Sequence, residues 1–142
     1  MYRHILLPID LNEPSSWRKA LPTAVEYARA FDSRLSVMTV VPDFGLPVVA
    51  QAFPTDYAEQ AKAAAEQRLA ELCDQEVPKG IKLDRRVAYG TIYREILTVA
   101  EREDCDLILM ASHRPELADY LIGPNAARVV RHASCSVLVV RE

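Results

Sequence analysis

Leu107-Ile108-Leu109-Met110 and Val137-Leu138-Val139-Val140 are apolar at every successive position. A strand with one face in water alternates apolar and polar side chains; a strand covered on both faces does not. These two runs therefore predict a parallel sheet with helices packed against both sides. Three more short apolar runs, His4–Ile9, Leu35–Val41 and Leu83–Ala88, join Leu107–Ala111 and Ser136–Val140 as strands.

The stretches between them carry helical spacing. Trp17, Leu21, Ala24, Ala28 and Phe31 fall on one helical face, with Pro22 predicting a kink or a late helix start. Ala58, Ala61, Ala65, Leu69 and Leu72 mark a second helix whose alanine-rich face allows close packing. Gly90-Thr91 supplies a turn and a cap before Ile92, Ile96, Val99 and Ala100. Gly123-Pro124 precedes Val129, Val130 and Ala133, a fourth helix with proline at its first position. The irregular segment Pro42–Thr55, with three prolines, reads as a lid, a contact surface or disorder.

Strands alternating with helices predict an α/β fold: one domain over residues 1–142, three-layered, with a doubly wound five-stranded parallel sheet. Right-handed crossovers leave few topologies, and strand order 3-2-1-4-5 is the expected one. The chain then reverses direction between strands one and four, and ligands bind beyond the carboxyl ends of strands at such a point. The residues delivered there are Pro8, Ile9 and Asp10 after strand one, and Met110, Ala111, Ser112, His113 and Arg114 after strand four.

Composition narrows the function. Of 142 residues, 50% are apolar and 26% charged, and the net charge of −3 argues against a nucleic-acid surface. The apolar stretch Ile5–Leu7 is too short for a signal peptide or a membrane span. Cys73, Cys105 and Cys135 are odd in number and widely spaced, which favours a reducing cytoplasm over a disulfide framework. His132 and Cys135 alone are too few ligands for a closed zinc site.

At the switch point, Gly123-Pro124-Asn125-Ala126 opens a helix whose amides attract anions, and Arg114 adds a mobile charge for phosphate. Asp10 is placed to accept hydrogen bonds from ribose hydroxyls or to hold a magnesium ion, although an aspartate after a strand is more often a helix cap or turn former. Arg114 reads also as a solvated loop charge, and His113 as either a ligand contact or a plain loop residue. The last strand, Val137-Leu138-Val139-Val140, lies at the sheet edge in the expected order. An apolar edge strand templates pairing with another chain, so a homodimer through that strand is expected.

The run Tyr2-Arg3-His4-Ile5-Leu6-Leu7-Pro8-Ile9-Asp10 resembles the opening strand of the universal stress protein family. Thr39-Val40-Val41-Pro42 is similar to the end of that family's second strand. Gly90, Ile96 and Ala100 followed by Asp106-Leu107-Ile108-Leu109-Met110 resemble its third helix and fourth strand. Arg131-His132-Ala133-Ser134-Cys135-Ser136-Val137-Leu138-Val139-Val140 is similar to its closing helix and strand. Nucleotide-binding members carry G-x-x-G, nine residues, then G-S or G-T after strand four. Here Ala111 and Arg114 stand at the early glycine positions, the spacer is one residue shorter and Pro124 replaces the hydroxyl residue. This version resembles the small F-type and G-type members.

The resemblance implies Asp10 and Val40 near adenosine, and Ala111–Arg114 and Gly123–Ala126 near phosphates. The implied ligand is ATP or another adenine nucleotide, with magnesium held through the nucleotide rather than by the protein alone. It also implies the same homodimer. The expected function is a nucleotide-responsive regulatory or protective stress-response module without efficient catalysis. The alternatives are a dimeric interaction protein that binds no nucleotide, and a slow ATPase. Ser112 and His113 are adjacent rather than arranged as nucleophile and oriented base, and no Walker lysine motif follows strand one.

Overall fold

The structure, a computed structural model, describes residues 1–42, 57–112 and 123–141. The strands are β1 (His4–Ile9), β2 (Arg34–Pro42), β3 (Lys82–Gly90), β4 (Leu107–Ser112) and β5 (Ser136–Arg141). They alternate with helices α1 (Ala20–Phe31), α2 (Tyr57–Glu76), α3 (Ile92–Arg102) and α4 (Pro124–His132), and a 3-10 turn spans Pro14–Ser16. All four strand pairings are parallel, in the order β3-β2-β1-β4-β5. Fold class and strand order are as the sequence predicts. The strands run one or two residues past most expected ends, and residues 43–55 of the irregular segment lie outside the described residues.

The unbroken apolar runs follow from burial on two sides. Ile5, Leu7 and Ile9 of β1 and Leu107 and Leu109 of β4 face one core, with Leu21, Ala24 and Val25 of α1 and Leu69 and Cys73 of α2. The intervening Leu6, Ile108 and Met110 face the other, with Ile96, Val99 and Ala100 of α3 and Ala126 and Val129 of α4. Burial of one such leucine or isoleucine contributes about 1.5–3 kcal/mol, so the two layers are the main source of cohesion.

Four local details bear on the sequence reading, and the last three differ from it. Of the two effects expected at Pro22, the late start is the one observed: α1 begins at Ala20 and places the proline in its first turn, where no amide has an intrahelical partner. Trp17 precedes the helix instead of lying on it. Thr91 occupies the capping position of α3, yet its hydroxyl makes no capping bond; Gly90, at φ 147°, makes the turn. Val130, expected in the core, is 46% exposed, because α4 turns Ala126 and Val129 inward and leaves Val130 beside that face.

The amino ends of β1 and β4 are locked together by one carboxylate. Asp106 accepts from the amide of Arg3 at 2.9 Å and from the amide of His4 at 3.0 Å. Its own amide donates to the His4 carbonyl at 3.0 Å. Pairing then continues at Ile5↔Leu107 and Leu6↔Ile108 and goes no further, although both strands continue. Burial pushes the Asp106 carboxyl up, but hydrogen bonds from the His4, Arg3 and Asp106 amides outweigh it and hold the pKa below its ordinary 3.8. A carboxyl depressed in the folded chain contributes stability present above its unfolded value and lost as pH falls through the folded one. Asp106→Ala is therefore expected to lower stability at pH 7 by about 1–3 kcal/mol in urea unfolding. The difference from wild type should shrink as pH falls below the ordinary 3.8. A difference independent of pH would show that the charge is not what holds the strands.

Candidate functional site

Where β1 and β4 part, a cavity of about 540 Å³ opens at their carboxyl ends. Pro8, Ile9, Thr39, Val40, Met110 and Ala111 from the strands line it, with Ala61, Ala64, Ala65 and Arg68 from α2 and Ile92 and Ile96 from α3. The loop after β1 and the start of α4, Gly123–Ala126, complete the lining. Thr39 is buried and donates from Oγ1 to the Ile9 carbonyl at 2.9 Å, so it satisfies a backbone group at the end of β1.

Asp10 lies exposed at the mouth. Its Oδ1 accepts from the Asn12 amide at 2.9 Å, which is the turn-forming role open to an aspartate after a strand. Ser16 fixes the same residue twice: its hydroxyl accepts from the Asp10 amide at 2.8 Å and donates to the Asp10 carbonyl at 2.9 Å. Oδ2 has no partner among the described residues and is available to a ligand.

Of the residues expected from sequence, Pro8, Ile9, Asp10, Val40, Met110, Ala111, Gly123, Pro124, Asn125 and Ala126 all line this one cavity. Ser112 does not. It is 1% exposed, and its Oγ accepts from the Gly123 amide at 3.4 Å, so it sits behind the lining and ties β4 to the start of α4. His113 and Arg114 lie outside the described residues. Pro124 takes the first position of α4, as expected, and brings no amide proton. The amides of Asn125 and Ala126, in the first turn, have no intrahelical acceptor.

Arg68 is absent from the sequence-based set. Nη1 donates to Asn12 Oδ1 at 3.1 Å and Nη2 to the Leu11 carbonyl at 3.0 Å, so α2 is tied to the loop that carries Asp10. The signal was its spacing, seven residues after Ala61 and three after Ala65, on the same helical face.

The described residues contain no group of three or more His, Cys, Asp or Glu able to hold a metal ion. Burial pushes the Cys73 thiol up to about 11 and the Cys105 thiol up to about 12, which keeps both protonated near neutrality. No described helix is long and apolar enough to cross a membrane.

A doubly wound parallel sheet with its crevice at the strand-order reversal defines an open-sheet α/β protein with a ligand site at the switch point. Within that class, the universal stress protein family model matches residues 1–141, and the chain belongs to that family. Universal stress protein G of Shigella flexneri is 28% identical over 144 residues, covering 99% of this chain and 100% of the relative. The solved universal stress protein UspA from Lactobacillus plantarum superposes with a TM-score of 0.69 at 26% identity, covering 99% of this chain and 98% of that one. A universal stress protein crystallised in complex with cAMP gives a TM-score of 0.64 at 21% identity, covering 99% of this chain and 97% of that one.

Thr39→Val keeps the shape of the crevice floor and leaves the Ile9 carbonyl without its hydroxyl donor. A loss of about 0.5–1.5 kcal/mol is expected in urea unfolding. An unchanged stability would show that water serves that carbonyl equally well.

Proposed function

We propose that this chain binds an adenine nucleotide in the crevice and acts as a regulatory or protective stress-response module of one domain, in the cytoplasm, without efficient catalysis. The observation that carries the reading is the convergence of an apolar-walled cavity of about 540 Å³ with an open carboxylate oxygen of Asp10 at its mouth. Pockets of this size and mixture suit a ligand with a flat apolar body and a few fixed polar groups. Val40, Met110, Ile92 and Ile96 supply the apolar surface for the base, and Asp10 Oδ2 supplies an acceptor for ribose hydroxyls. The relative crystallised with cAMP supports the choice of an adenine ligand.

The asn-alanine opening of α4 offers two amides to a phosphate. The roles of His113 and Arg114 beside it rest on sequence alone. Magnesium fits as a companion of the nucleotide: Asp10 offers one hard oxygen, the kind of ligand that ion takes from proteins, and the remaining positions fall to phosphate and water.

We also propose the homodimer through β5. The strand pairs with β4 on one side and ends the sheet on the other. Val137 and Leu138 pack against the two cores and Val140 is buried, whereas Val139 belongs to neither core. Pairing of two such edges about a twofold axis satisfies both and stops growth at two chains.

Calorimetric titration with AMP, ADP and ATP should show saturable binding to the wild type. Asp10→Ala should weaken it by about 1.5–3 kcal/mol, the range for a hydrogen bond to a charged group. Asp10→Asn, which can still accept from the Asn12 amide, should lose less. Equal affinity in all three proteins would remove Asp10 from the site. Light scattering should report a dimer for the wild type and a monomer of unchanged circular dichroism for Val139→Lys. A monomeric wild type ends the β5 proposal.

A further inference from the structure

Arg68 is the sole cation among the described residues that line the cavity, where Asp10 and Glu13 are the anions. Its two acceptors among the described residues, Asn12 Oδ1 and the Leu11 carbonyl, are both neutral. No ion pair forms at this guanidinium among the described residues. A guanidinium carries five N–H donors in one plane, so two are engaged and the others are left for a ligand. The guanidinium is exposed, held at two points by neutral acceptors, and beside Ala61, Ala64 and Ala65.

We infer that Arg68 is an anion-recognition residue of this crevice, selecting a phosphorylated adenine ligand over the neutral nucleoside. The inference rests on the adenine-nucleotide reading above and adds to it the group that senses the ligand's charge. Two features of the site favour such a group. The start of α4 offers only the Asn125 and Ala126 amides, because Pro124 has no amide proton and the Gly123 amide is directed at Ser112 Oγ. Two carboxylates at the mouth also repel an incoming phosphate, and a fixed cation offsets one of them. The guanidinium is well suited to the task, since a planar fork already held by neutral acceptors loses little freedom when it meets a phosphate oxygen.

The competing explanation is that Arg68 only fastens α2 to the loop after β1. The two roles separate by charge. Arg68→Gln keeps an amide donor for the loop and removes the charge, whereas Arg68→Lys keeps the charge and loses the fork.

The test is calorimetric titration of the full chain with adenosine, AMP and cyclic AMP, for wild type and both variants, with urea unfolding of each. The wild type is expected to bind AMP or cyclic AMP more tightly than adenosine. Arg68→Gln should lower affinity for the phosphorylated ligands about tenfold, the scale of one charge-assisted hydrogen bond, and leave adenosine within about twofold. Arg68→Lys should recover part of the preference for phosphate. If Arg68→Gln weakens adenosine and AMP by the same factor, the residue fastens the loop and the inference is wrong. The same holds if no affinity changes. If the wild type binds none of the three ligands, the adenine-nucleotide reading itself fails and this inference falls with it. Binding of AMP with an unaltered preference in Arg68→Gln overturns the inference alone.

Discussion

A proline has no backbone proton to donate, and here that missing donor stands where two central strands part. The His4 carbonyl accepts from the Asp106 amide, so His4 directs its backbone groups toward β4. Backbone direction alternates along a strand, which gives Leu6 and then Pro8 the same orientation. Leu6 pairs with Ile108; Pro8 is the next position that would donate to β4, and it cannot. On the other side β1 stays paired with β2 as far as Ile9↔Thr39, and the Thr39 hydroxyl covers the last carbonyl. The sheet is thus clamped at the amino ends by Asp106 and released at the carboxyl ends by Pro8. The crevice is the consequence of both.

A released sheet must still be covered, and the residues chosen for α2 show how. Ala61, Ala64 and Ala65 place small side chains toward the opening, while Leu69 and Cys73, farther along, pack into the core. One helix therefore seals the core at one end and leaves volume at the other. Polar groups inside the sheet are matched in the same economical manner. The His4 ring lies 2.7 Å from Ser36 Oγ through Nε2 and 3.2 Å from the Glu103 carbonyl through Nδ1. Among the described residues no buried side-chain nitrogen or oxygen lacks a partner, so the polar positions in the strands do not weaken the layers around them.

Much of this was legible in the sequence because it depends on periodicity. Two-faced burial of β1 and β4 leaves uninterrupted apolar runs, and the order of strands and helices then restricts the topology. What depends on direction was not legible. Met110 and Ala111 both reach the cavity at the end of β4, whereas Ser112 is turned to the Gly123 amide, a contact that no local pattern announces. Val130 neighbours Val129 on a helix short enough that a small rotation exchanges their roles. For Arg68 the helical face was legible from its spacing to Ala61 and Ala65, but its partners, Asn12 and the Leu11 carbonyl, are more than fifty residues away and no local pattern links them. Asp10 shows the opposite case, where the turn-forming and ligand-binding readings are compatible because each uses a different carboxylate oxygen.

The distribution of charge around the crevice bears on the orientation of the proposed ligand. Asp10 is held by Ser16 and by the Asn12 amide, and Arg68 is held by the same loop two residues farther on. An acceptor and a cation are thus fixed side by side on one short segment, with the apolar walls of β2, β4 and α3 beyond them. At about 5 Å and an effective dielectric near 20, a phosphate beside a carboxylate is disfavoured by about 3 kcal/mol, and beside a guanidinium favoured by as much. A ligand that offers hydroxyls to Asp10 and negative charge to Arg68 meets both conditions, while its base occupies the apolar part. The reverse arrangement would direct an aromatic ring at two charged groups and set phosphate beside Ile92, Ile96 and Met110, with the amides opening α4 as its donors and no described cation beside it.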